Sequence, residues 1–97
     1  MYAKLLRFDV GFGRPQLAEQ IATESQSTMA RHPGFERMEL LADYLGGRYT
    51  LIAYWRSEDD YYNFSYAPDA VALEKTVDGW MSGVPFTGFY TVYDPKA

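Results

Sequence analysis

Ninety-seven residues, 47% of them hydrophobic and 18% aromatic, are enough for one domain with a single core. A net charge of -4, with nine basic residues scattered along the chain, argues against a nucleic-acid partner. The lack of cysteine excludes disulfide and thiolate chemistry, and a lone histidine leaves no histidine cluster for a transition metal.

From Tyr2 to Val10 the residues Tyr2, Lys4, Leu6, Phe8 and Val10 alternate with Ala3, Leu5, Arg7 and Asp9, which predicts a first strand with mixed faces. The opening MYAKLLRF has no long apolar run, and no segment approaches the ~20 apolar residues of a membrane span. A soluble, cytoplasmic protein without a signal peptide or membrane association is expected. Gly11 and Gly13 end the strand, and Pro15 suits a first helical turn, where a missing amide hydrogen costs nothing. Gly-Phe-Gly alone is not a dinucleotide-binding fingerprint. From Gln16 to about Arg31, Leu17, Ala18, Ile21, Ala22 and Met29 form one apolar stripe of a helix, which His32-Pro33-Gly34 closes. The lone imidazole, His32, reads as a loop residue.

Phe35 to Asp43 reads as a second strand, and the glycines of Tyr44-Leu45-Gly46-Gly47-Arg48 make a hairpin to a third. In that third strand Tyr49, Leu51, Ala53 and Trp55 alternate with Thr50, Ile52, Tyr54 and Arg56, so both faces carry bulky groups. Ser57 can cap the next helix, and Glu58, Asp59 and Asp60 suit its positive end better than they suit a metal site. Pro68 interrupts this helix. A second helical piece follows, with Ala70, Leu73 and Val77 inward and Asp69, Glu74, Lys75 and Asp78 outward. Gly79 to Pro85 is expected to be loop and Phe86 to Tyr93 the last strand.

The order β-α-β-β-α-β predicts an α+β, ferredoxin-like fold over residues 1–97, an antiparallel sheet with helices on one face. Nine tyrosines and strands that are apolar on both faces would leave the other face greasy, so a homodimer stacked face to face is expected. Trp55 and Tyr61 are expected to meet at the mouth of an aromatic pocket between the third strand and the following helix. Lys4 and Arg7 are expected to be inward-pointing charges that face either a second copy or a ligand.

HPGF after the first helix, the glycine hairpin and Tyr54-Trp55-Arg56-Ser57-Glu58 with Tyr61 together resemble the antibiotic biosynthesis monooxygenase family of the dimeric α/β barrel superfamily. The resemblance covers nearly the whole chain and lies nearer to the anthrone-type oxygenases of polyketide tailoring than to other branches. It implies a reaction without metal or flavin, in which an electron-rich anthrone, quinol or polyketide-like substrate reduces dioxygen itself. It also implies that Trp55 and Tyr61 are the catalytic pair. Aromatic walls for such a substrate would come from Tyr49, Phe64 and Trp80, with Leu51 beside them. Leu51 stands where the family carries an asparagine, and leucine cannot hydrogen-bond a substrate or peroxide oxygen. The haem-degrading branch would need an asparagine in the first strand, a tryptophan near Phe64 and a histidine near Glu74, and the chain has none of these. Against catalysis stands a second reading, a non-catalytic dimeric barrel protein that binds a small hydrophobic ligand in a binding or stress-response role. Apart from the resemblance, Trp55 at a strand end and Tyr61 at helical spacing read as core residues.

Overall fold

Eight alternating residues, Tyr2–Asp9, form strand β1. In the computed structural model, which describes residues 1–93 and Pro95, there follow α1 (Pro15–Met29), β2 (Phe35–Asp43), β3 (Arg48–Trp55), α2 (Glu58–Ser65), α3 (Pro68–Asp78) and β4 (Ser82–Thr91). The strands lie in the order β2-β3-β1-β4, and every neighbouring pair is antiparallel. This is the expected α+β, ferredoxin-like arrangement, with the proline break giving the second helical stretch two pieces.

The register shows which side chains share a face. Tyr2 pairs with Trp55, Lys4 with Ala53, Leu6 with Leu51 and Phe8 with Tyr49, and on the other side of β1 Lys4 pairs with Phe89 and Leu6 with Thr87. These residues face the helices. Two apolar clusters fill the space there, one around Tyr2, Met29, Trp55, Tyr61 and Phe64, the other around Phe8, Val10, Ile21, Tyr49, Leu51 and Val77. The molecule measures 40 × 35 × 20 Å, and the short axis matches one sheet layer plus one helix layer at about 10 Å each. Among the described residues nothing forms a second layer on the reverse face of the sheet. Leu41, Phe86 and Tyr90 on it are 55%, 50% and 49% exposed.

Helix α1 starts on Pro15 as expected but ends at Met29, two residues before the predicted end. Arg31 N and His32 N donate to the carbonyls of Thr28 and Met29, a tight last turn that leads into Pro33. Gly34 follows at φ 85°, and its carbonyl accepts from Arg56 N at 2.7 Å, which pins the turn to the end of β3.

Strand β4 corrects the sequence reading at both ends. It begins at Ser82, inside the stretch expected to be loop, and stops at Thr91, short of Tyr93. Because β4 is an edge strand, Pro85 breaks no ladder, and an irregularity opposite Arg7 and Asp9 absorbs Gly83 and Val84 before Ser82 pairs with Asp9. At the other end Val92 N reaches Met1 O at 2.8 Å, where its partner strand runs out.

Candidate functional site in the cavity between sheet and helices

A cavity of about 390 Å³ separates the two apolar clusters. The sheet forms its floor through Lys4 and Leu6 of β1, Leu51 and Ala53 of β3, and Thr87 of β4. Ser25 and Met29 of α1, Tyr61 and Phe64 of α2, and Ala70, Leu73 and Val77 of α3 wall it. Glu74, Asp78 and Gly83 border it as exposed residues, which places its mouth between α3 and the edge strand β4. Two alanines make the room: Ala53 on the floor and Ala70 on the wall stand where larger apolar residues would close the gap.

Of the residues singled out from sequence, Tyr61, Phe64 and Leu51 line this cavity, and Trp55, Tyr49 and Trp80 do not. Trp55 is wholly buried behind the wall instead of standing at the mouth. Its ring lies 5.0 Å from Phe64, 5.4 Å from Phe35 and 6.1 Å from Tyr61, centroid to centroid. The physical reason is register, because Trp55 is the last residue of β3 and its side chain is roofed by α2, which starts three residues later. Its indole N–H is buried without a hydrogen-bond partner among the described residues. Tyr49, at the opposite end of β3, stacks on Phe8 at 5.7 Å and belongs to the second cluster, against which the half-buried Trp80 also packs.

Tyr61 is placed by the start of α2. Ser57 Oγ accepts from Asp60 N at 3.2 Å, and Arg56 grips the Asp60 carboxylate through Nε at 2.9 Å and a terminal nitrogen at 3.1 Å. The Arg56 hydrogen bonds, with help from Ser57, hold Asp60 below the usual carboxylate range. One residue on, Tyr61 turns towards the sheet, where its ring meets Tyr2 at 5.8 Å and Phe89 at 5.4 Å. Burial, then the nearby Tyr2 and Glu74, push its phenol up to about 12. At neutral pH Tyr61 is therefore a hydrogen-bond donor and no base.

Lys4 is the residue that sequence reasoning left undecided, and the structure places it inside. Its Nζ lies 5.7 Å from the centre of the Tyr61 ring, on the cavity floor. Burial lowers the pKa of its ammonium, and the carboxylates of Glu74 and Asp78 partly restore it. The signal was present in the alternation, since Lys4 shares a face with Tyr2, Leu6 and Phe8, all of which point at the helices. The helical stripe predicts that Glu74 and Asp78 face solvent. They are exposed, yet one helical turn apart they border the cavity mouth.

His32 lies away from the cavity lining, as a loop residue. Its Nε2 contacts both Asp69 oxygens at 2.9 and 3.0 Å, and its ring meets Phe64 edge-on at 4.9 Å, so it ties the α1–β2 turn to the start of α3. Among the described residues no group of three or more His, Cys, Asp or Glu side chains is placed to hold a metal ion, and no helix is long and apolar enough to cross a membrane.

A search of curated proteins finds no match. Among solved structures, SnoaB, a cofactor-independent oxygenase from Streptomyces nogalater, superposes with a TM-score of 0.82 at 23% identity, over 96% of this chain and 93% of that one. The monooxygenase ActVA-Orf6 of Streptomyces coelicolor, solved with the ligand Nanaomycin D, gives 0.79 at 24% identity over 96% and 88%. An antibiotic biosynthesis monooxygenase-like protein from Nitrosomonas europaea gives 0.77 at 17% identity over 95% and 98%. These likenesses bear on the fold. The family model for antibiotic biosynthesis monooxygenase matches residues 1–75, which hold β1 to α2 and most of α3, and the chain belongs to the antibiotic biosynthesis monooxygenase family.

Proposed function

We propose that this protein is a cofactor-independent monooxygenase that oxidises an electron-rich aromatic substrate of anthrone, quinol or polyketide type with dioxygen. The observation that carries the reading is the cavity itself, about 390 Å³ between helices and sheet and walled by Tyr61, Phe64, Leu51 and Leu73. A space of that size, apolar with a few polar groups converging on it, suits a flat ring system better than a small hydrophilic metabolite. Once deprotonated, such a substrate can give an electron to dioxygen. What the protein supplies is a dry cavity, a fixed orientation and hydrogen bonds to the developing oxyanion or peroxide.

Within that reading Tyr61 touches the substrate and donates a hydrogen bond to its oxygen, while Phe64 and Leu51 form apolar walls. Trp55 acts as a positioning residue, bracing Phe64 and Tyr61 from behind. Tyr49 and Trp80, packed in the second cluster, act only through the shape of the floor. Two copies stack their open sheet faces, which covers Leu41, Phe86 and Tyr90 and leaves both cavities on the helix side.

Oxygen uptake with dithranol, an anthrone, tests the reading. Uptake above the spontaneous rate is expected, falling at least about tenfold in Tyr61→Phe because the oxyanion loses a donor. Leu51 on the cavity floor favours the second reading, a non-catalytic carrier of a hydrophobic ligand, because an apolar floor binds without polarising. Tight dithranol binding with no oxygen uptake would establish that reading instead.

A further inference from the structure

We propose that Lys4 is the proton-accepting and anion-holding group of this cavity: its neutral amine takes the acidic proton of a phenolic or anthrone-type substrate, and the resulting ammonium then holds the substrate oxyanion. The inference rests on the oxygenase reading for its substrate class, and on the placement of Lys4 in the cavity for the group itself. Lys4 sits on the cavity floor in the middle of β1, paired on one side with Ala53 and on the other with Phe89, so its stem is fixed by a central strand. None of the ion pairs among the described residues includes it. A lysine held half-buried between apolar neighbours without a salt-bridge partner is costly for folding alone. The site has a use for it, since Tyr61 keeps its phenolic proton, Leu51 has no polar atom, and the carboxylates of Glu74 and Asp78 stand at the exposed rim instead of on the floor.

Among the described residues the charged and titratable groups facing the Lys4 amine are Tyr61 from α2 and Glu74 and Asp78 from α3, while the α1 wall offers only the uncharged Ser25 and Met29. Burial favours the neutral amine and the two rim carboxylates favour the ammonium, so the amine can exchange a proton nearer to neutrality than a surface lysine. The step balances as follows. Lys4 takes a proton and leaves the electron pair on the substrate. That anion passes one electron to dioxygen, giving superoxide and a substrate radical, which join in a C–O bond as a peroxide anion. The ammonium returns its proton to the peroxide, and loss of water from the hydroperoxide converts a ring CH₂ to C=O, with one oxygen atom in the product and one in water. Lys4 ends as it began, a neutral amine.

The test compares wild type, Lys4→Met and Lys4→Arg by oxygen uptake with dithranol across pH, and by the visible absorption of bound dihydroxyanthraquinone, whose phenolate is distinguishable from its phenol. In the wild type the bound phenol should ionise at a pH lower than it does free, and uptake should rise with pH along an amine titration. Lys4→Met should lose the ionisation shift and cut uptake by about a hundredfold or more, the range of general acid–base catalysis. Lys4→Arg should keep the ionisation shift, since the charge remains, and lose uptake, since guanidinium does not give up its proton. Thermal melting guards against a folding artefact: Lys4→Met should melt at or above the wild type. Uptake in Lys4→Met within about threefold of wild type, with an unchanged pH profile, overturns the Lys4 assignment and leaves the oxygenase reading in place. A wild type without uptake but with a Lys4-dependent ionisation shift overturns the oxygenase reading and upholds Lys4 as the anion-holding group. Neither uptake nor an ionisation shift in the wild type overturns both.

Discussion

At the scale of single residues, Gly34 shows how closely the chain is drawn in beside the site. Its φ of 85° lies in the left-handed region, and a Cβ added there would overlap the Asp60 carboxylate that Arg56 and Ser57 hold in place. Gly34→Ala is therefore expected to lower stability by about 1–3 kcal/mol, read as a shift in the denaturant midpoint. Asp60 and Asp69 make a second residue-scale prediction. Arg56 lowers the pKa of the first, and hydrogen bonding to His32 that of the second. A carboxyl depressed in the folded state contributes stability that is fully present above its unfolded pKa of about 4 and is lost as pH falls through the lower folded value. Melting temperature should thus drop on acidification below about pH 4, and Asp60→Asn should lower the neutral-pH melting temperature while flattening that acid limb.

At the scale of elements, β3 shows what period-two patterning can reveal. The alternation that puts Tyr49, Leu51, Ala53 and Trp55 on one face was legible and agrees with the register. The pattern could not tell that the two ends of that face, Tyr49 and Trp55, are packed shut while its middle, Leu51 and Ala53, borders open space. A void is the difference between the room α1, α2 and α3 leave and the volume that residues distant in sequence fill, and no local spacing encodes it. Ala53→Leu tests the point. A leucine there should fill the cavity at a stability change within about 1.5 kcal/mol while abolishing binding of dihydroxyanthraquinone, followed by its absorption. The same logic explains β4. Gly79 to Pro85 looked like loop because glycine and proline punctuate local structure, but an edge strand tolerates both where a central strand would not.

At the scale of the whole molecule, one layer of helices covers one face of a four-stranded sheet, and the other face is left with aromatic and aliphatic groups. Arg37 lies 4.0 Å from the centre of the Tyr54 ring and Arg7 5.4 Å from that of Phe86, so the two guanidiniums partly shield the open face. The proposed assembly of two copies through this face predicts a solution mass of twice the chain. Phe86→Glu should shift sedimentation equilibrium towards single chains, because it sets a like-charged pair of carboxylates into a two-fold interface. Sequence by itself determined the element order, the two-faced strands, the Ser57 cap and the family resemblance, because periodicity, capping and turn chemistry act over a few neighbours. Tertiary structure alone decided that Trp55 braces the wall from behind, that Lys4 reaches the cavity floor, and that Glu74 and Asp78 stand at its rim. Which side chains meet across a gap depends on how separate elements pack, and that relation is carried by no single stretch of the chain.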